Sequence, residues 1–294
     1  MTSESDQTPD SGQKTRSDKT RDQAVVFAKA LTGVLTGFAA DTAACIRFFS
    51  RLPLPAVNAS DDPAALPDFA RIARAAPLAG TAIALPAAAL GMLLGFSHLP
   101  ELAVATITIG LLALTTGALH EDGLGDVADG FFGAASREKR LTIMKDSRIG
   151  VYGALALIVT TVLRVALLAA LWQRLGPADA ALILLGSEAL SRAVLVWQWQ
   201  VLPPARPDGL AARFGKPLPE TARQAILVAL ILLLPAALLL PLPALSLGLL
   251  LAAGIAHMTG RLALTRVGGV TGDVLGAIQQ LSGLGFLTGV LMLP

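Results

Sequence analysis

Apolar runs long enough to cross a bilayer recur along this 294-residue chain and leave it few ways to fold. Ala225–Leu240 (AILVALILLLPAALLL) carries no charge and no polar side chain. About 20 such residues span a membrane as a helix. Seven stretches read as spans, at about 76–96, 102–119, 150–172, 180–201, 224–240, 244–259 and 277–293, with Pro235, Pro241 and Pro243 interrupting the fifth and sixth. Residues 24–50 are apolar too, but Asp41 and Arg47 divide them, so a re-entrant or interface-lying helix is expected there. The expected fold is all-α: a polytopic transmembrane helical bundle of about seven spans plus that N-terminal helix, one integral membrane domain over 24–294.

Composition agrees. Charged residues make up 15% of the chain, against roughly 25% in an ordinary soluble domain, and mean hydropathy is +0.65. A soluble enzyme is excluded. A net charge of +2 supplies no footprint for nucleic acid, and lone Cys45 excludes an intrachain disulfide or a cysteine-based zinc site. Residues 1–23 hold nine charges and no apolar stretch, so they read as a disordered tail and not as a signal peptide. With that tail inside, 20 of the 23 Lys and Arg residues fall in inner segments, Arg174 alone in an outer loop, and Arg164 and Arg192 inside spans. The chemistry is therefore expected at the cytoplasmic face or within the membrane.

Acids are sparse in the body, yet Glu121, Asp122, Asp126, Asp129, Glu138 and Asp146 fall within 26 positions just after the second span. Asp122, Asp126 and Asp129 are spaced i, i+4, i+7, which puts three carboxylates on one helix face within about 60°. Such a face repels itself unless a cation relieves it, and oxygen ligands suit Mg²⁺, Mn²⁺ or Ca²⁺. Gly123, Gly125, Gly130 and Gly133 are expected to leave room for a bulky ligand. Solvation of a surface loop is the plainer alternative.

The segment Ser136–Gly150 (SREKRLTIMKDSRIG) is basic. Arg137, Lys139 and Arg140 read equally well as contacts to anionic lipid headgroups, whereas Lys145, Asp146 and Arg148 sit where phosphate oxygens would lie beside a metal. The Gly268–Asp273 turn (GGVTGD) enters a helix, so its N–H groups could meet an anion and Asp273 a metal or proton, or its glycines could simply pack. Within the spans, Glu188 and Arg192 are spaced to neutralise each other, and Arg164 is expected to snorkel. His120, just before the acid face, is a proton acceptor or a headgroup contact.

The strings His120–Gly130 (HEDGLGDVADG), Ile143–Gly150 (IMKDSRIG) and Gly269–Ala277 (GVTGDVLGA) closely resemble cobalamin synthase, the adenosylcobinamide-GDP ribazoletransferase family. Shorter matches at Arg51–Pro55, Pro77–Gly80 and Ser191–Arg192 extend the resemblance over roughly 43–293. It implies an enzyme of the bacterial cytoplasmic membrane that joins adenosylcobinamide-GDP to α-ribazole or its 5′-phosphate, releasing GMP, with Mg²⁺. On that reading Asp122, Asp126 and Asp129 hold the metal. Lys145 and Arg148 bind pyrophosphate, with Arg51, Ser191 and Arg192 among the substrate contacts, and Asp146, Asp273 and His120 serve as metal-shell or proton-accepting groups. The bilayer is a partner, and association with other corrinoid-pathway enzymes or a second copy stays open. Where the family often carries an acid after the last Gly-Ala, this chain has Gln279, Gln280 and Gly283. A CDP-alcohol phosphotransferase would need an Ala-Arg after the first Asp-Gly, which is missing. An ion-coupled transporter would place acids near mid-bilayer.

Overall fold

The computed structural model describes residues 16–294. The helices run α1 Arg16–Phe49, α2 Phe69–Ile72, α3 Ala76–Gly95, α4 Glu101–Thr116, α5 Leu119–Gly133, α6 Arg137–Ile143, α7 Val151–Leu175, α8 Pro177–Val201, α9 Leu210–Phe214, α10 Pro219–Leu239, α11 Leu242–Val267 and α12 Gly272–Met292. Among the described residues seven helices are long and apolar enough to cross a membrane. Four of the expected spans correspond closely to α3, α7, α8 and α10, and Pro241 and Pro243 stand at the start of α11, where proline fits without breaking a helix.

Three expectations change. Residues 25–49 form one unbroken helix of spanning length, so the chain does not turn back there. α1 already begins at Arg16, within the expected tail, of which residues 1–15 lie outside the described residues. The expected span at 102–119 is a 16-residue helix that stops at Thr116, and α5 leaves it at an angle of 89°.

α8 and α12 form the centre: 78% and 72% of their spanning windows are buried, against 22% for α7. α12 lies against α11 through glycine, and a Cβ at Gly289 would come 2.6 Å from the Gly248 backbone. One apolar cluster (Leu168, Trp172, Ile183, Phe286) fills the end with short connections, and another (Phe49, Phe69, Phe131, Trp199) fills the end with long, Arg-rich ones.

Between the clusters lies a buried polar network. Glu188 pairs with Arg192 (2.5 Å) and with Arg164. Arg164 also donates to Gln280 (3.0 Å), Gln280 donates to Glu121 (3.0 Å), and Gln279 donates to Ser191 (3.0 Å) and Glu188 (3.3 Å). The Glu188–Arg192 pairing is as expected, but Arg164 does not snorkel: it is held by Glu188 and Gln280. Gly80 of α3 makes room, since a Cβ there would meet the Glu188 carbonyl at 2.8 Å and the Arg192 side chain. Removing one partner of a buried pair strands the other. Glu188→Ala is expected to cost about 3–5 kcal/mol, read as a lowered melting midpoint in detergent. Replacing Glu188, Arg164 and Arg192 together with Leu, Leu and Met is expected to recover most of it. A Glu188→Ala protein that melts like wild type would refute this.

Candidate active site

The break before α5 positions the acids. Gly117 (φ +64°) and Ala118 (φ +54°) are both left-handed, and the Ala118 N–H donates to the Ala113 carbonyl at 2.8 Å. Arg51 braces this elbow: its N–H donates to the Thr115 carbonyl (2.8 Å), and its side chain lies over Gly117, where a Cβ would intrude. At 15 residues, about 22 Å, α5 is too short to span. We read it as lying along the basic face of the bundle.

α5 carries Asp122, Asp126 and Asp129 on one helix, as their spacing predicts. It crosses α12 so closely that a Cβ at Gly123 would lie 2.9 Å from the Asp273 backbone, and one at Gly276 would lie 3.2 Å from that of His120. These glycines bring Asp273, in the first turn of α12, up to the acid face. Burial and the neighbouring carboxylates of Asp122, Asp273 and Asp129 push the Asp126 pKa up to about 7. Among the described residues neither the Asp122 nor the Asp126 carboxylate has a hydrogen-bond or ion-pair partner.

Asp129 is engaged differently. Its two oxygens accept the N–H groups of Gly150 (2.7 Å) and Gly153 (2.9 Å), so it caps the start of α7 from a neighbouring helix. A Cβ at either glycine would strike the carboxylate. The room expected beside the acid face is also taken by protein: Leu157 covers Gly125, Met144 covers Gly130 and Ile143 covers Gly133.

The open space lies instead at the start of α5. A cavity of about 130 Å³ is walled by Phe48, Phe49, His120 and Trp199 and floored by Asp122 and Asp273. His120 is buried and stacks on Phe49 (5.8 Å, 25°), and its Nε2 has no partner. Burial, with the charges of Arg192 and Arg164, pushes its pKa well below the usual histidine range, so the ring is neutral.

Lys145, Asp146 and Arg148 sit beside the other end of α5, next to Met144 and Gly150. That is roughly 10 Å along the helix from Asp122. Asp146 and Arg148 form an exposed ion pair (2.5 Å), whose hydrogen bonds hold the Asp146 carboxyl down at about 2. Lys145 is exposed. Ser191 and Arg192 belong to the buried network. Arg137 donates to the Ala205 carbonyl (2.9 Å) and Arg140 to those of Ala134 (2.9 Å) and Arg266 (3.1 Å), so both fasten loops to the bundle. The glycine-rich turn does the same. The Val270 N–H donates to Pro203 (2.8 Å) and the Ala205 N–H to Val270 (2.9 Å), and a Cβ at Gly269 would collide with the Pro203 carbonyl. Thr271 caps α12, accepting the Val274 N–H (3.2 Å) and donating to Asp273 (3.1 Å). The aromatic walls Phe48, Phe49 and Trp199 carry no motif that sequence reasoning could have used, and the Gln280–Glu121 link was equally hidden.

Fold and site together define a polytopic helical membrane protein with an acid-floored cavity at its basic face. A sequence model of the cobalamin-5-phosphate synthase family matches residues 41–291. The chain belongs to that family. It is similar to proteins named adenosylcobinamide-GDP ribazoletransferase from Sinorhizobium (45% identity over 87% of this chain and 97% of the relative) and Azorhizobium caulinodans (47% over 86% and 96%). The same name is carried by a relative from Brucella anthropi (46% over 86% and 96%). No solved structure matches.

A carboxyl with a raised pKa keeps its proton in the folded state at a pH where the unfolded chain has lost it. In metal-free buffer Asp126 is therefore expected to lower stability progressively as pH rises from about 4 to about 7. Melting curves with EDTA check this: Asp126→Asn should melt above wild type at pH 8 and close to it at pH 4. Parallel pH dependences in the two proteins would contradict the assignment.

Proposed function

We infer that this protein is a membrane-embedded adenosylcobinamide-GDP ribazoletransferase. It joins adenosylcobinamide-GDP to α-ribazole, or to its 5′-phosphate, and releases GMP in the last step of nucleotide-loop assembly. The observation that carries this reading, beside family membership, is the meeting of Asp122 from α5 with Asp273 from α12 at one cavity, with Asp126 one turn along α5 in the field of both. An alcohol oxygen of the ribazole attacks the phosphorus on the cobinamide side of the pyrophosphate, and the bond from that phosphorus to the GMP oxygen breaks. The hydroxyl proton passes to a carboxylate or to neutral His120, both at the cavity.

Mg²⁺ is the proposed cofactor. Among the described residues no three His, Cys, Asp or Glu side chains close around one point. That still suits Mg²⁺, which is commonly held by one or two carboxylates and completed by waters and substrate phosphates. Unpartnered Asp122 and Asp126 supply such a pair, with Asp273 close by. When bound, the ion neutralises charge on the pyrophosphate and the departing GMP. Asp129 fixes α5 to α7 and so positions the pair. Arg148 and Lys145 are placed to meet the outer end of a long substrate. We place the site at the cytoplasmic side of the bacterial inner membrane, since the Arg-rich connections share its face. The acids lie at one end of the bundle, and the mid-bundle acid Glu188 is already ion-paired, so a transported cation finds no vacant acid there.

Purified protein in detergent or liposomes, given adenosylcobinamide-GDP and α-ribazole with Mg²⁺, is expected to form cobalamin and GMP in equal amounts. EDTA should abolish both, and Asp122→Asn should slow turnover at least about 100-fold, the scale of losing one charge-stabilising group. Folded wild-type protein that forms neither product, or full turnover in EDTA, would refute the corresponding part of this reading.

A further inference from the structure

α1 runs unbroken from Arg16 to Phe49, and its two halves have different surroundings. The second half lies level with the Arg-rich connections. The Asn58 amide donates to the Thr36 carbonyl (2.9 Å), Arg74 pairs with Asp41 (2.7 Å), and Arg47 pairs with Asp61. Asn58, Asp61 and Arg74 all belong to the stretch between α1 and α3, so α1 lies beside that stretch from Thr36 onward. Phe49 then stacks on His120 of α5. From Val25 to Leu35, by contrast, every residue is exposed, Phe27 by 70% and Val34 by 62%. The family match begins at residue 41, after this arm.

The arm is two-faced. At about 100° per residue, Phe27, Leu31, Val34, Leu35 and Phe38 fall within about 100° of one another, with Lys29, Thr32 and Thr36 opposite. The same stripe continues through Cys45 and Phe49, by which α1 packs on the bundle: Cys45 Sγ donates to the Ile72 carbonyl (3.5 Å), and Phe38 lies under the Arg74 guanidinium (5.8 Å). The stripe thus faces the bundle along one half and meets no protein along the other. Val25–Phe49 is long enough to cross a membrane, but Thr36–Phe49 is already held beside the connections. Ala24–Leu35 alone covers about 18 Å, well short of the ~30 Å hydrocarbon core. A full span counted back from Thr36 would reach Arg16 and take in Asp18, Lys19, Arg21, Asp22 and Lys29, a prohibitive load of charge. Beyond the edge of the bundle, level with its connections, lies the lipid headgroup region.

We propose that α1 does not cross the membrane but lies along its cytoplasmic surface, with the Phe27–Leu31–Val34–Leu35 stripe sunk in the inner leaflet and Lys29 at the phosphates. The word cytoplasmic rests on the orientation proposed above; the docking does not.

The test uses the full chain in liposomes of phosphatidylethanolamine and phosphatidylglycerol. Single cysteines in a Cys45→Ser background carry a nitroxide, and its collisions with oxygen, which concentrates in lipid, are compared with those of a water-soluble nickel chelate. The oxygen-to-nickel ratio is expected to be severalfold higher at Phe27→Cys, Leu31→Cys and Val34→Cys than at Lys29→Cys, Thr32→Cys and Thr36→Cys, with the first three labels about 5–10 Å below the headgroups. If Cys45→Ser fails to fold, the series is made with Cys45 kept, since a thiol with no exposure takes no label. A ratio that climbs steadily along the helix would mean a span, uniform nickel access an arm in water, and spin–spin broadening relieved by unlabelled protein a second copy of the chain. Each of these would overturn the docking. An epitope tag before Met1 should bind antibody in inverted vesicles and not in intact spheroplasts. A tag reached on spheroplasts, with the two-faced pattern present, would overturn the cytoplasmic orientation alone.

Discussion

Everything at the site depends on how closely α5 can pass over α12. At Gly123 the helix backbones approach to a distance that a side chain would not permit, and at Gly276 to one that leaves a Cβ only a tight fit. That approach lifts Asp273 into the field of Asp122 and Asp126 and gathers negative charge that neither helix would hold alone. The left-handed pair Gly117–Ala118 supplies the angle, Asp129 locks the far end of α5 onto α7, and Thr271 starts α12 at the right height. Each of these is a local backbone or capping device, and together they fix one crossing point.

The interior solves a second charge problem beneath the first. Two arginines and a glutamate in the middle of an apolar bundle would be prohibitive singly, and they are tolerable because Glu188 serves both Arg164 and Arg192. Gln280 then carries the network to Glu121, the residue beside Asp122. The amides of Gln279 and Gln280 bridge carboxylates, a hydroxyl and a guanidinium without adding charge to the core.

Much of this was legible beforehand. The bundle followed from the apolar runs, and the shared face of Asp122, Asp126 and Asp129 from their spacing, because helix period and bilayer thickness are properties of the segment alone. What failed to show was tertiary. Asp129 looks like its two neighbours in sequence, yet its oxygens are bound by Gly150 and Gly153 some twenty residues on. Glycines 123, 125, 130 and 133 read as room for a ligand and turned out to be room for other helices. Arg137 and Arg140 have the composition of a headgroup anchor, and backbone carbonyls of Ala205, Ala134 and Arg266 claim them first. Phe48 and Phe49 end a helix that sequence alone could not orient, so the aromatic walls of the cavity were invisible.

The proposed transferase site needs carboxylates from two helices, Asp122 on α5 and Asp273 on α12, to act as one cation site. Binding of Mn²⁺ as a spectroscopic substitute, followed by electron paramagnetic resonance, reports on that site without turnover. Asp122→Asn on α5 and Asp273→Asn on α12 should each weaken binding about tenfold or more, while Glu138→Gln, exposed on α6, binds as wild type. Undiminished Mn²⁺ affinity in both aspartate variants would contradict the claim.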